Sequence, residues 1–472
     1  MPKSNDTKLH LETYRTLNYA LPTVVVAFLI GPVAIIQGIY AKYFGLSLTT
    51  IASVLLIARL FDAVTDPLIG YFSDHYYART GSRKKIICTG AVLFIISAYF
   101  LYVPHGIGSS APYDPISTAY FLTWFLIFYL GWTMFEIPHL AWGSELAVGA
   151  REQNNIFSAR IFGYSIGGLI FYAIPLLPIF EVHAFTPETL TWSVLIAAVF
   201  ALPALYFGVA MVPERKARDV ARATLGQVEK SNRSTGLPDL YHVLIANKPF
   251  LLMLSAFILS GTGIGMLMAL LFIFSDGYLG FGENLPLIYL LTMLSSIISI
   301  GLWNKLSVFL GKRVCWGLGV IIIVVGVLGI SLLTPTDGDW SMLLLLQTLI
   351  FSGSIAINIF VPSLLSDTIA YANWKFGFDH ASTYFSIYTL VTKANLAVGG
   401  AVGLAVAGYY GFDPALSEHS DRQILSLHVA ISYLPALMLL MSLLFVVLTP
   451  LNTRRNSIIR RRLDARYEQI TS

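Results

Sequence analysis

Three charged residues lie on one face of a long apolar segment near the beginning of the chain. Arg59, Asp62 and Asp66 are spaced three and four residues apart, so an α-helix presents all three on the same side. A charge inside a bilayer costs at least ~2.5 kcal/mol, so charges without a purpose are not expected there. Two carboxylates beside a single guanidinium leave one negative charge to be balanced. This stripe predicts a site that binds and releases a small cation, as in an ion-coupled transporter.

These residues leave the type of cation open. A sodium ion needs several hard oxygen ligands, whereas a proton needs only one carboxylate. Asp62 and Asp66, together with the hydroxyl of Thr133 from a later apolar segment, could serve either Na⁺ or H⁺. The alternative is a salt bridge between Arg59 and an aspartate that only stabilises the helix, but such a bridge needs one acid and not two.

Three further charged residues fall within apolar segments and are candidates for contacts with a solute. Glu136 lies in the same segment as Thr133. Arg160 could bind vicinal hydroxyls or a carboxylate through its fork of N–H donors, and the alternative is that it anchors a helix end. Lys393 needs a counter-charge, which the aspartates of the stripe could supply, and the alternative is that its ammonium reaches a membrane interface.

Aromatic side chains close to these charges could stack on a sugar ring, and Trp132 and Tyr388 are the main candidates. Aromatic residues make up 13% of the chain, so the alternative for each is packing or contact with lipid.

Four charged residues near predicted cytoplasmic helix ends are candidates for a gate: Asp74, Glu145, Arg151 and Asp367. The last three are predicted to form salt bridges that lock two halves of the molecule together. Asp74 lies on the same segment as the stripe and is predicted to cap the gate with the basic loop that follows it.

The apolar segments that carry these residues recur along the whole chain. Hydrophobic residues make up 56% of the sequence and charged residues 12%, against roughly 25% charged in a soluble domain. Twelve segments approach the ~20 residues that cross a bilayer, at about 18–43, 47–73, 86–104, 117–145, 157–180, 189–211, 249–274, 285–304, 314–334, 341–365, 383–410 and 426–449. The sequence predicts an all-α membrane protein with twelve transmembrane helices.

The basic residues predict the orientation of these helices. With both termini cytoplasmic, 25 of the 30 lysines and arginines fall in the termini or in cytoplasmic loops. This asymmetry is the positive-inside rule. The chain is therefore predicted to lie in the cytoplasmic (inner) membrane as a multi-pass protein, with the lipid bilayer as its surroundings.

A short basic motif occurs twice and divides the chain. Gly81–Ser82–Arg83 and Gly311–Lys312–Arg313 each precede an apolar segment, 230 residues apart. The repeat predicts two six-helix bundles of the major facilitator fold, with the solute at their interface; the alternative is that the loops only follow the positive-inside rule. The same offset sets Thr292 opposite Asp62 and Ser296 opposite Asp66, which places an ion site in the N-terminal half. The predicted parts are an N-terminus (1–17), a first bundle (18–211), a linker (212–248), a second bundle (249–449) and a basic tail (450–472).

Other classes of function lack sequence support. The sequence contains no glycine-rich phosphate loop, metal-ligand cluster or nucleophile–base pair, so neither an enzyme nor a cofactor is predicted, and no metal beyond a coupling Na⁺. The net charge of +4 is concentrated in the tail and predicts contact with an anionic leaflet rather than with nucleic acid. Cys88 and Cys315 both lie in apolar segments, so no disulfide framework is predicted.

Three long motifs resemble the glycoside–pentoside–hexuronide:cation symporters, the melibiose permease family. They are RLFDAVTDPLIGYFSD, WTMFEIPHLAWGSELAVGAREQNNIFSAR and VPSLLSDTIAYANWKFGFDHASTYFSIYTLVTK, and the resemblance covers nearly the whole chain. It implies a twelve-helix major facilitator fold and transport by alternating access.

The resemblance also implies roles for individual residues. It implies a cation site at Asp62, Thr65, Asp66 and Thr133, sugar contacts from Glu136 and Arg160 with Lys393 near both sites, and a cytoplasmic lock between Arg151 and Asp367. The sequence departs from the melibiose permease at Thr65, where that permease has asparagine. It also departs at Glu136 in place of aspartate, and in the first span, where neutral Gln37 is available in place of an acid.

The resulting expectation is a monomeric secondary transporter that imports a sugar or glycoside-like polar solute with Na⁺ or H⁺. The alternatives are a carrier of an organic acid, a siderophore or a lipid-like solute on the same scaffold, and a non-transporting membrane sensor.

Overall fold

The computed structural model describes most of the chain, namely residues 3–109, 112–146, 150–212, 246–335, 339–376, 381–416, 418–450, 458–459 and 462. Within these ranges the side chains of 3–13, 74, 78, 144–145, 150–155, 157–158, 210, 376, 381–383 and 385–386 are not described. The predicted gate side chains of Asp74, Glu145 and Arg151 therefore lie outside the described residues, as do most of the predicted linker and tail.

The described part of the chain is built from helices joined by short turns. Within the described ranges the α-helices are α1 (Lys3–Ile30), α2 (Ile36–Phe44), α3 (Leu48–Thr80), α4 (Lys84–Tyr102), α5 (Thr118–Leu146), α6 (Ala150–Ala173), α7 (Pro187–Leu205), α8 (Lys248–Phe272), α9 (Leu285–Leu310), α10 (Lys312–Ile330), α11 (Trp340–Phe376), α12 (Ala381–Tyr409), α13 (Asp421–His428) and α14 (Leu434–Leu448).

The twelve predicted membrane spans are confirmed, because twelve helices in the described residues are long and apolar enough to cross a bilayer. The first span is interrupted between α1 and α2 by a 3₁₀ turn at Gly31–Ala34, where Pro32 has no amide hydrogen to continue the helix. The last span joins α13 to α14 through a π-helical turn at Val429–Tyr433. Span ten is longer than predicted and continues to Lys375.

Two compact units divide the chain: Met1–Leu46, Leu56–Arg233 and Leu285–Leu287 form the first, and Ser47–Leu55, Ser234–Asn284 and Ile288–Ser472 form the second. In the first unit α1 packs against α6 and α7, and α4 packs against α5 and α7. In the second unit α8 packs against α12 and α14, and α10 packs against α11 and α14. Counted by span, both units use the same packing scheme.

Glycines set the close approach of the first and fifth span of each unit. A Cβ on Gly167 of α6 would lie 2.8 Å from the Cβ of Ala27 and 2.9 Å from the Phe28 nitrogen of α1. A Cβ on Gly399 of α12 would lie 3.0 Å from the Gly265 Cα of α8. Small residues at these crossings allow helix backbones to touch, which is how helices associate within a membrane.

Candidate functional site

The aspartate stripe lies on α3 and faces α5 within the first unit. Arg59 donates a hydrogen bond to Asp62 at 2.9 Å and a second one to the Tyr129 hydroxyl at 3.0 Å. The guanidinium also lies over the Tyr129 ring, 4.7 Å from its centre. Asp62 is only 5% exposed, so its charge depends on this neighbouring cation rather than on water.

The second aspartate of the stripe also contacts α5. Thr133 donates from its hydroxyl to a carboxylate oxygen of Asp66 at 3.0 Å. Thr65 is on α3 as well, where its hydroxyl donates to the Phe61 carbonyl at 3.0 Å. Its oxygen keeps lone pairs that can accept a further partner. The structure thus brings Asp66 into contact with Thr133. The carboxylate and hydroxyl oxygens of the predicted cation site all belong to helices α3 and α5.

The predicted solute residues Glu136 and Arg160 form a pair of their own. Arg160 of α6 donates a hydrogen bond to the Glu136 carboxylate of α5. The Tyr164 hydroxyl lies 3.5 Å from the other carboxylate oxygen, and the Tyr164 ring lies 5.4 Å from the guanidinium carbon. The side chains of the pair are 10% and 18% exposed. The arrangement offers a solute both a carboxylate and a planar fork of donors.

One face of α5 positions both groups. Tyr129, Trp132, Thr133 and Glu136 follow one another at spacings of three, one and three residues, which places them on one side of the helix. Tyr129 and Thr133 contact the stripe of α3, and Glu136 contacts α6. Trp132 packs edge-on against Tyr129 with ring centres 5.7 Å apart. Thr133, which contacts Asp66, and Glu136, which contacts Arg160, are therefore about one helical turn apart on a single helix.

A contact between α1 and α5 was absent from the sequence predictions. The Tyr19 hydroxyl donates to the His139 carbonyl at 2.7 Å, and the His139 Nε2 lies 3.2 Å from the Tyr19 carbonyl. The two rings stack 4.2 Å apart, and the Phe135 ring also stacks on His139, at 4.9 Å. His139 is fully buried, one turn after Glu136. A histidine within a predicted span was the available signal, but its ring contacts depend on a helix more than a hundred positions away in the chain.

Gln37 also lies in the first unit, on α2 after the break in span one. It is 8% exposed, and its amide oxygen has no hydrogen-bond partner among the described residues. Its predicted contact with a solute stays a prediction.

The second unit has neutral residues where the first has its aspartates. Thr292 and Ser296 of α9 are both buried, and the Ser296 hydroxyl donates to the Thr292 carbonyl at 2.8 Å. Lys393 and Tyr388 belong to α12 of this unit, where Tyr388 stacks on Phe257 at 5.1 Å and Lys393 is exposed. The predicted contact of Lys393 with the aspartates stays a prediction.

The predicted gate is described in part. Asp367 is 3% exposed and pairs with Lys312 of its own unit at 3.1 Å. In the loop after α3, Arg83 donates to the Ser73 hydroxyl at 2.8 Å. The predicted lock between Asp367 and Arg151 stays a prediction. Within the described ranges, no group of three or more His, Cys, Asp or Glu residues could hold a metal ion.

Known proteins share this sequence pattern and this fold. Residues 13–453 match the family model described as MFS/sugar transport protein. An uncharacterized symporter of Bacillus subtilis, YnaJ, is 22% identical over 90% of this chain and 89% of its own length. The sodium-dependent lysophosphatidylcholine symporter 1 of Xenopus tropicalis is 20% identical over 86% of this chain and 81% of its own. The inward-open xylose transporter XylE from E. coli superposes with a TM-score of 0.60 at 16% identity, covering 94% of this chain and 97% of that one.

Proposed function

Because this chain belongs to the MFS/sugar transport family, the glycoside–cation symporters of the major facilitator superfamily, we propose that it couples the entry of a cation to the transport of a sugar or glycoside-like solute. The chain is a secondary transporter in the cytoplasmic (inner) membrane, with a small molecule as its substrate. The proposal concerns the cation, the solute and the residues that bind them.

The observation that carries the proposal is the spacing of Thr133 and Glu136 on α5. Thr133 contacts Asp66 in the cation group, and Glu136 contacts Arg160 in the solute pair. Both are on one helix, so a shift of α5 on cation binding at the first contact would also move the second. This gives a physical route from ion binding to solute binding over one helical turn.

The charges of the two groups favour a bound cation. Arg59, Asp62 and Asp66 together carry one net negative charge, whereas Glu136 and Arg160 carry none. A monovalent cation beside Asp66 neutralises the first group, and neutrality lowers the free-energy cost of keeping these side chains away from water. This difference supports cation binding at the first group.

Sodium and the proton both fit the group. Asp62, Asp66, Thr133 and Thr65 offer carboxylate and hydroxyl oxygens, which suit a sodium ion. A proton needs only one of the two carboxylates. The relative that is named as a sodium-dependent symporter supports the sodium alternative for this chain.

The solute pair supports a polar, hydroxyl-rich solute. A carboxylate accepts hydrogen bonds from sugar hydroxyls, and a guanidinium donates to two neighbouring oxygens. Trp132 lies on the same face of α5 and offers an aromatic surface for a sugar ring.

A lipid-like solute is the second candidate. Its support is the lysophosphatidylcholine symporter, which resembles this chain over most of both lengths. In that case Arg160 would bind the phosphate of the solute in place of Glu136.

The test measures ligand-dependent stability and uptake with purified protein in proteoliposomes. Sugars, organic acids and lysophospholipids are screened by thermal shift with and without sodium and at two pH values, since a ligand that binds the folded state raises its stability. The solute found is then used for uptake. Asp66→Asn is expected to abolish concentrative uptake and the effect of the ion on solute affinity, about 5- to 150-fold in such couplings, while exchange of solute persists.

Ser296→Ala is the matched control, because it changes a buried polar residue at the corresponding position of the second unit. It is expected to retain coupled uptake. Unchanged concentrative uptake by Asp66→Asn would refute the assignment of the cation site. A rise in the unfolding temperature with lysophospholipids, but with no sugar, would favour the second candidate.

A further inference from the structure

An open apolar groove of about 620 Å³ lies in the first unit between α3, α4 and α5. Its walls include Leu68, Phe72 and Tyr76 of α3, Lys85 and Thr89 of α4, and Met134 of α5. The volume falls within the roughly 300–1,000 Å³ of small-molecule sites. The groove differs from the proposed solute site, because none of the charged residues of that site line it.

The groove has one charged end. Lys85 lies in the first turn of α4, and Tyr76 lies near the end of α3. From Tyr76 the α3 wall runs eight residues inward to Leu68, about 12 Å along a helix. One leaflet of the hydrocarbon core is about 15 Å deep, half of the whole. The groove therefore matches the depth of a single leaflet, with the Lys85 ammonium at one end and apolar side chains along its length.

The three consecutive basic residues at this end differ in their contacts. Arg83 donates to the Ser73 hydroxyl, and Lys84 donates to the Val212 carbonyl at 2.7 Å. Lys85 is exposed, and in the described part of the chain its ammonium makes no hydrogen bond or ion pair. Its exposed ammonium can therefore contact a ligand at this end of the groove.

We propose that this groove binds one anionic phospholipid, with the phosphate on Lys85 and an acyl chain along Leu68, Phe72 and Met134. Charge and shape together select this occupant. A phosphate complements the ammonium at the open end, and only an amphiphile places apolar chains in the rest of the groove. Anionic lipids are concentrated in the cytoplasmic leaflet, on the side where the basic loops are predicted to lie. The lipid would support α3, the helix that carries Asp62 and Asp66.

The experiment is native mass spectrometry of the full-length protein released from nanodiscs that contain phosphatidylglycerol and phosphatidylcholine in equal amounts. The wild type is expected to retain one phosphatidylglycerol in preference to phosphatidylcholine. Lys85→Gln is expected to weaken this retention about fivefold, since one basic side chain contributes about that factor at a lipid surface. Lys305→Gln, at another exposed lysine, is the matched control and is expected to retain the lipid as the wild type does.

A second variant tests the apolar part of the site. Thr89→Trp places a large ring in the groove and is expected to reduce retention while leaving Lys85 unchanged. Its folding is checked by thermal unfolding of the lipid-free protein. Soluble glycerol phosphate is added as a competitor and is expected not to displace the lipid.

Three outcomes would overturn the proposal: equal retention of both lipids, equal retention by the Lys85→Gln and Lys305→Gln variants, or displacement by glycerol phosphate. The first indicates non-selective annular lipid, the second a groove without a phosphate site, and the third a phosphate site without a lipid.

Discussion

The two units share a packing scheme and differ in where they place charge. In each unit the first span packs against the fifth and sixth, and the third packs against the fourth and sixth. The second span of the first unit, α3, carries Asp62 and Asp66. The second span of the second unit, α9, has Thr292 and Ser296 at the positions 230 residues later. Close helix packing depends on small residues, so both units can use it without placing any charge in the membrane. Carboxylates within a span are costly, so we expect two of them beside a single basic residue only where a cation must bind.

The largest expected effect comes from separating the buried pair of the first unit. Arg160→Gln leaves Glu136 without its guanidinium in a place where both side chains are mostly buried. Removing one partner of such a pair destabilises a protein by about 3–5 kcal/mol. We expect a large drop in the thermal unfolding temperature and loss of uptake. The double variant Glu136→Gln with Arg160→Gln is expected to regain stability but not uptake.

The pair of the second unit is the comparison. Lys312→Gln removes one partner of Asp367. The Lys312 side chain is 38% exposed, which screens its charge, but the carboxylate left behind is 3% exposed. The expected loss is about 1–3 kcal/mol, the cost of leaving a buried acceptor without one of its partners. The two basic side chains differ in exposure, 10% for Arg160 and 38% for Lys312. Equal losses of stability for Arg160→Gln and Lys312→Gln would show that this difference has no effect.

An effect smaller than that of Arg160→Gln, and equal in the two units, is expected at the helix crossings that both units share. Gly167→Leu and Gly399→Leu each place a side chain against the backbone of the facing helix. Overpacking of this kind costs about 1–3 kcal/mol. The measurement is thermal unfolding in detergent, with Gly301→Leu as control, because a Cβ on Gly301 meets no atom within 4 Å. Loss of stability in one variant alone would show that the two crossings are not equivalent.

The smallest effect concerns a contact at the end of the sixth span of each unit. Lys84 donates to the Val212 carbonyl at 2.7 Å, and Arg313 donates to the Thr449 carbonyl at 2.6 Å. A cation at the carbonyl end of a helix contributes about 0.3–1 kcal/mol. Lys84→Met and Arg313→Met are each expected to lower the unfolding temperature slightly and to the same extent. If the two variants differ in unfolding temperature by more than the error of replicate measurements, the two contacts do not contribute equally.

The sequence predicts the number of spans well because each span is a local property. An apolar length near that of the bilayer and the absence of most charges suffice to mark each helix, and twelve such helices are present. The break in span one was not predicted. Pro32 was visible, but prolines also lie inside helices α3, α5 and α11 without interrupting them. Whether a proline ends a helix depends on its surroundings.

The sequence pointed to the residues of the candidate site, but it did not show the contacts that these residues make. Spacing on α3 placed Arg59, Asp62 and Asp66 on one face. It could not show that Arg59 also binds the Tyr129 hydroxyl, or that Arg160 of α6 pairs with Glu136 of α5. These contacts join helices that are distant in the chain.

By itself the sequence determined the class of protein, the twelve helices and the choice of α3 as the charged helix. The reason is that hydrophobic length and buried charge act residue by residue along the chain. Only the tertiary structure decided which partner each charge has. The approach of α3 and α6 to one face of α5 depends on side-chain packing over the whole unit, and this packing places Thr133 against Asp66 and Glu136 against Arg160.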